Sequence, residues 1–198
     1  MARLRHLGLL TTLVSGLHAA YSTGNPQITV RNGTYEGIHL SAFDQDIFLG
    51  IPYAQDTGGL NRFRPPQSLN TTWNGTRPAK QYGDACPDFR PDQDAAYGMS
   101  EDCLSINVVK PAGLKEGEKI PVVVWIHGGS YQVGTSGLPN YNLTWLIQRS
   151  GEIGKPIIAT SINYRKGELS ECWSPRMTNL WFCRRLGYAI QPGDPGNR

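Results

Sequence analysis

The chain has 198 residues, 39% of them hydrophobic and 18% charged, with a formal charge of +3. That suffices for one substantial core and is too apolar for a chain disordered throughout. The charge forms no basic stripe and no aromatic platform accompanies it, which argues against nucleic acid, and no stretch is long and apolar enough for a mature transmembrane helix, so no stable membrane anchor is expected.

Residues 1–20 have the pattern of a secretory signal peptide. Arg3 and Arg5 precede an apolar run from Leu7 to Leu17, and the small residues Ala19 and Ala20 follow. A secreted, extracellular chain is expected. Asn32, Asn70, Asn74 and Asn142 each open a glycosylation sequon, and the four cysteines suit an oxidising compartment.

The chain from 21 to 165 then alternates short apolar runs with turn residues. Gln27 to Leu40 reads as a β-hairpin with Asn32-Gly33 at its turn. Ile47 to Ala54 reads as a short strand closed by a proline, and Thr57 to Pro78 as surface loop. Cys86 and Cys103 bracket a loop heavy in Pro, Asp and Gly. A bridge closing roughly 15 residues is worth about 3 kcal/mol in the chain-entropy model; the alternative is two unpaired buried thiols.

Leu104 to Val109 is the next strand, and Ala112 to Lys119 a polar turn. Val122 to Ile126 is a continuous, largely β-branched apolar run between Pro121 and Gly128. That is the pattern of a central strand covered on both faces. Gly128 and Gly129 let the backbone turn with N–H groups facing outward, which is what an oxyanion hole needs. Tyr141 to Arg149 reads as a short helix capped by Asn142, and Pro156 to Tyr164 as a further buried strand. Strand, loop, helix, strand is the rhythm of a βαβ unit. From Lys166 to Arg198 neither a helical nor a strand period persists. This tail is either a small appendage clipped by Cys172 and Cys183 or sequence never selected to fold.

Five motifs in order carry a family resemblance. They are Phe48 to Ala54 (a GIPYA segment), Arg62 to Pro66 (RFxxP), Glu101 to Val108, Trp125 to Tyr131, and Ser161 to Arg165. Together they resemble the N-terminal portion of the type-B carboxylesterase/lipase family. The resemblance implies the α/β class: the N-terminal part of an α/β-hydrolase fold, a hairpin plus the start of a mostly parallel central sheet, incomplete here. It implies that Gly129 and Ser130 donate backbone N–H bonds to an oxyanion while Gly128 shapes the turn. It also implies that Cys86–Cys103 is the family's first disulfide and that Arg62 and Glu101 form a structural ion pair. In complete relatives the partner is a small-molecule or lipid ester, and no cofactor or metal is implied.

The nucleophile is the missing part. Acyl transfer on this fold needs a Ser in G-x-S-x-G, a His base and an acid. That motif is absent. Gly134-Thr135-Ser136-Gly137 is a near miss in which Leu138 replaces the final glycine. His39 reads as a surface residue and His127 as packing beside the oxyanion loop, so neither is expected to be the base. The catalytic set within this chain is therefore none, and a carboxylic ester hydrolase inactive by itself is the expected function. The alternatives are a non-catalytic cholinesterase-like binding or adhesion protein, or a truncated gene product without function.

Overall fold

The computed structural model describes residues 24–88, 98–115 and 117–169. The expected signal peptide, and the tail with Cys172 and Cys183, lie outside the described residues.

Two sheets form the frame. In the smaller, β1 (Gln27–Val30) pairs antiparallel with β2 (Gly33–Glu36), which pairs parallel with β5 (Thr76–Pro78). The larger has the spatial order β3 (Ile38–Leu40), β4 (Gln45–Pro52), β6 (Ser105–Pro111), β8 (Ile158–Ile162), β7 (Val122–Ile126). Its pairings are antiparallel up to β6–β8, and the parallel part of the sheet begins at β8–β7. A helix, α1 (Thr144–Glu152), connects β7 to β8. The expected βαβ unit is thus present: parallel neighbours need a crossover, and the helix supplies it.

Period-two alternation along β6 sorts its side chains between two cores. Val109 packs with Leu143, Ile147 and Ala159 on the helix side. Val108 packs with Tyr35, Phe48 and Ala79 on the side of the small sheet. Asn142 Oδ1 accepts the Thr144 N–H at 3.0 Å, the capping contact expected of it, although Leu143 is the residue at the helix boundary.

Three expectations are corrected. The hairpin expected from Gln27 to Leu40 ends at Glu36, with β3 pairing to β4 instead, and its turn is Arg31-Asn32, because Val30 faces Gly33 across the pair. Gly33 is a strand residue there; a Cβ on it would sit 2.4 Å from the Trp73 indole, so the site needs glycine for close packing. Within the loop expected from Thr57 to Pro78, its last three residues form β5. Finally, β7 is a strand as expected but not buried: it is the last strand of the sheet, and all five of its residues are exposed. Among the described residues nothing pairs with its outer edge.

Candidate functional site

β7 delivers the chain into the glycine loop at His127. The His127 ring is buried, and its Nδ1 lies 2.9 Å from the Gly128 carbonyl oxygen. A carbonyl only accepts, so Nδ1 carries the proton and Nε2 the lone pair. Burial pushes the imidazole below its ordinary value and nearby Lys166 adds to this, against the hydrogen bond to Gly128 and the charge of Asp88. His127 is therefore neutral at pH 7. Among the described residues its Nε2 meets no hydrogen-bond partner.

The peptide planes of the loop follow from these anchors. All peptide bonds here are trans, so each N–H points opposite to the carbonyl of its own plane. The Gly128 carbonyl is turned back to His127, which turns the Gly129 N–H away from it. The Gly129 carbonyl accepts the N–H groups of Gln132 at 3.0 Å and Val133 at 3.1 Å, which turns the Ser130 N–H outward. Among the described residues, neither the Gly129 nor the Ser130 N–H meets an acceptor.

Glycine is needed at Gly129, where φ is +122° and a Cβ would sit 2.0 Å from the Val133 carbonyl oxygen. It is needed at Gly134 too, with φ +109° and a Cβ that would meet the Gly128 oxygen at 2.8 Å. Gly128 differs. It has no positive φ, and a Cβ there meets nothing within 4 Å. The turn expected of Gly128 is made by Gly129 and Gly134 instead. Ser130 and Tyr131 follow with φ 56° and 59°, a left-handed conformation that side chains resist.

The segment leaving β8 holds this loop. The Tyr164 hydroxyl donates to the His127 carbonyl at 2.6 Å, and its ring stacks on the imidazole with centroids 4.3 Å apart. The Gly167 N–H donates to the Tyr131 carbonyl at 2.7 Å. Lys166 Nζ donates to the Gly134 carbonyl and pairs with Asp88 at 2.7 Å. The stretch beginning at Lys166, expected to be divergent, thus starts with residues bound into the fold.

Behind the loop lies a buried amide network. Asn163 Oδ1 accepts from the Ser136 N–H at 2.8 Å, from Ser136 Oγ at 2.8 Å and from Thr135 Oγ1 at 3.1 Å. Asn163 Nδ2 donates to the Asp84 carbonyl. Asn107 Nδ2 donates to Ser136 Oγ and Ser161 Oγ, and its Oδ1 accepts the Gly50 N–H. Ser136 is therefore a buried hydroxyl with both roles filled, not an exposed nucleophile. Asn107 and Asn163 stood inside the two motifs flanking the loop, but only the fold shows that they converge on it.

The other candidates stand apart from the loop. Arg62 and Glu101 form a two-pronged ion pair, Nε–Oε1 2.8 Å and Nη2–Oε2 3.0 Å. Cys86 and Cys103 are bridged, with Cα atoms 5.0 Å apart. Asn70, Asn74 and Asn142 are exposed. Asn32 is not free in the same way: its Nδ2 donates to the Leu69 carbonyl at 2.9 Å and the Thr71 carbonyl at 2.8 Å. His39 pairs with Asp46, which also takes Lys110. A cleft of about 530 Å³, bordered by Arg31, Asn32, Tyr53 and Asn70, does not reach Gly128, Gly129 or Ser130. Among the described residues no group of three His, Cys, Asp or Glu side chains could hold a metal, and no helix is long and apolar enough to cross a membrane.

Residues 24–170 match the carboxylesterase family model. An inactive carboxylesterase-like protein of Byssochlamys spectabilis, VdtD, is 40% identical over 141 residues, which are 69% of this chain and 24% of that protein. A secreted lipase of Arthroderma benhamiae is 34% identical over 154 residues, 76% of this chain and 27% of the lipase. The crystal structure of Aspergillus niger EstA superposes with a TM-score of 0.64 at 35% identity, covering 74% of this chain and 27% of EstA. The chain spans about a quarter of the length of these relatives.

Proposed function

The chain belongs to the carboxylesterase family, and from that premise we propose that it carries the oxyanion loop of a secreted carboxylic ester hydrolase acting by serine acyl transfer. Small-molecule or lipid esters are the substrate class. One observation carries the reading: the Gly129 and Ser130 N–H groups meet no acceptor among the described residues, and both are turned outward by anchored carbonyls. When a serine oxygen attacks an ester, negative charge gathers on the carbonyl oxygen. Fixed N–H donors stabilise that charge without reorganising, and one such donor is worth about 3–4 kcal/mol of barrier. Neither donor has a transition state to act on without a nucleophile, and the sequence has no G-x-S-x-G. The chain by itself is inactive in this reading. Arg62–Glu101 and Cys86–Cys103 act as braces, and no cofactor takes part.

The test is hydrolysis of p-nitrophenyl butyrate by the purified secreted chain, with and without an organophosphate serine trap. No turnover and no labelling is the expected result. Turnover blocked by the trap would show that a serine of this chain is a nucleophile. A second reading, a non-catalytic binding protein of the same fold, is favoured by the relative named as inactive. A G-E-S-x-G downstream in the adjoining coding sequence supports the hydrolase; a degenerate serine there supports the binding protein.

Glycosylation divides the four sequons in this reading. Asn70, Asn74 and Asn142 carry glycans. Asn32 does not, because a glycan replaces an Nδ2 hydrogen and both are used by the Leu69 and Thr71 carbonyls. Peptide mass spectrometry after N-glycosidase release in oxygen-18 water reads this out. A glycan at Asn32 would show that the clasp does not form in the secreted chain.

A further inference from the structure

The side chains of Lys166 and Asp88 are both 0% exposed, with Nζ 2.7 Å from Oδ2. Two ions taken out of water cost more than their attraction returns unless further hydrogen bonds complete their shells. Here part of that completion comes from one residue, Gly134. Its carbonyl accepts from Lys166 Nζ and its N–H donates to Asp88 Oδ2 at 3.3 Å. The ion pair thus grips both polar groups of a glycine at the exit of the oxyanion loop.

What Gly134 touches gives the grip its meaning. It lies directly against the His127 ring and the Gly128 carbonyl, the two groups that turn the Gly129 N–H outward. Moving Gly134 would release that peptide plane. We infer that Lys166 and Asp88 form a charged clasp whose role is to position the oxyanion loop from behind, through Gly134. They are positioning residues and touch no reacting atom. Asp88 lies just after Cys86, so the bridge to Cys103 tethers the acidic arm of the clasp. The geometry is independent of the hydrolase reading, and only the clasp's catalytic meaning rests on it.

The experiment is hydrogen exchange on the full chain, comparing residues 127–136 with residues 105–111 of β6. Lys166→Met and Asp88→Asn each leave one charge buried without its partner. Each is expected to speed exchange in 127–136 by about tenfold or more while β6 stays protected. The double variant D88N/K166M removes both charges, so its effect is expected to be smaller than the product of the two single effects. The Gly134 amide resonance is expected to move in Asp88→Asn, because its acceptor loses its charge. Unchanged exchange in 127–136 for Lys166→Met would overturn the clasp. Equal acceleration in β6 would also overturn it, since the pair would then serve the whole fold and not the loop. Neither outcome bears on ester hydrolysis, so the clasp and the hydrolase reading fail separately.

Discussion

In β7, Val122, Val124 and Ile126 are 56%, 55% and 59% exposed, whereas Asn107 in β6, Ser161 in β8, Asn163 just after it and Ser136 in the loop after β7 are at most 2% exposed. Apolar residues stand in water while polar ones are sealed in, within one sheet. The polar group is cheap to bury because its amides and hydroxyls are matched donor to acceptor, and the network spans β6, β8 and the loop between β7 and α1. The apolar strand is exposed because burial needs a partner surface, and none of the described residues supplies one at that edge. Side-chain chemistry sets what burial would be worth; neighbours decide whether it happens.

Breaking the polar side of this contrast should have the largest effect. Asn163→Ala leaves Thr135 Oγ1, Ser136 Oγ and the Ser136 N–H without their acceptor, and should cost about 3 kcal/mol. It would be read as a lower urea midpoint at unchanged slope; a loss under about 1 kcal/mol would mean that water replaces the amide easily. Next comes the loop that the network supports. Gly129→Ala should cost about 2 kcal/mol through strain at a positive φ, whereas Gly128→Ala should stay within about 0.5 kcal/mol. Equal effects at the two positions would refute the assignment of the turn to Gly129.

Acid acts on the loop through His127. Burial depresses the folded-state value of His127, so the unfolded chain takes up the proton first. Stability from this group is complete above its unfolded value of about 6.5 and is lost as pH falls from there toward the folded value. Melting should therefore drop between pH 7.5 and pH 5. His127→Phe keeps an aromatic ring against Tyr164 and should flatten that slope; an unchanged slope would assign it to other groups. The smallest change in stability belongs to the apolar side. Val124→Lys puts a charge on an exposed edge strand and should alter stability by only about 0.5 kcal/mol or less. Its visible effect should be on association: sedimentation should move from aggregates toward monomer, and a wild-type chain already monodisperse would show that the edge is not sticky.

The strands from Ile47, from Leu104, from Val122 and from Pro156 were legible because apolar runs between turn residues carry a local signal. Helix α1 was legible from its place between two such runs, and Cys86–Cys103 from a proline- and glycine-rich loop. The hairpin was placed with its second strand too long, since Ile38–Leu40 pairs with β4 instead, and its turn was missed by one residue, because Asn-Gly is a strong local signal while Gly33 here packs in the strand against Trp73. In the glycine loop after β7 the run Gly128-Gly129 was legible, but that Gly129 and the distant Gly134, and not Gly128, require glycine was not. Composition shows how many glycines are present but not which of them carries the positive φ.

The order of the elements, the covalent clip, the βαβ rhythm and the glycine loop at the end of β7 could be read from the residues alone. Each is written within a few neighbouring residues or in an ordered set of motifs. That β7 lies open, that Asn32 clasps Leu69 and Thr71, and that Asn107 and Asn163 meet behind the loop emerge only in the folded chain. The same holds for Lys166, which reaches Asp88 across 78 positions of chain. Such contacts join residues far apart in sequence. No local periodicity encodes a hydrogen bond whose partner is supplied by another strand.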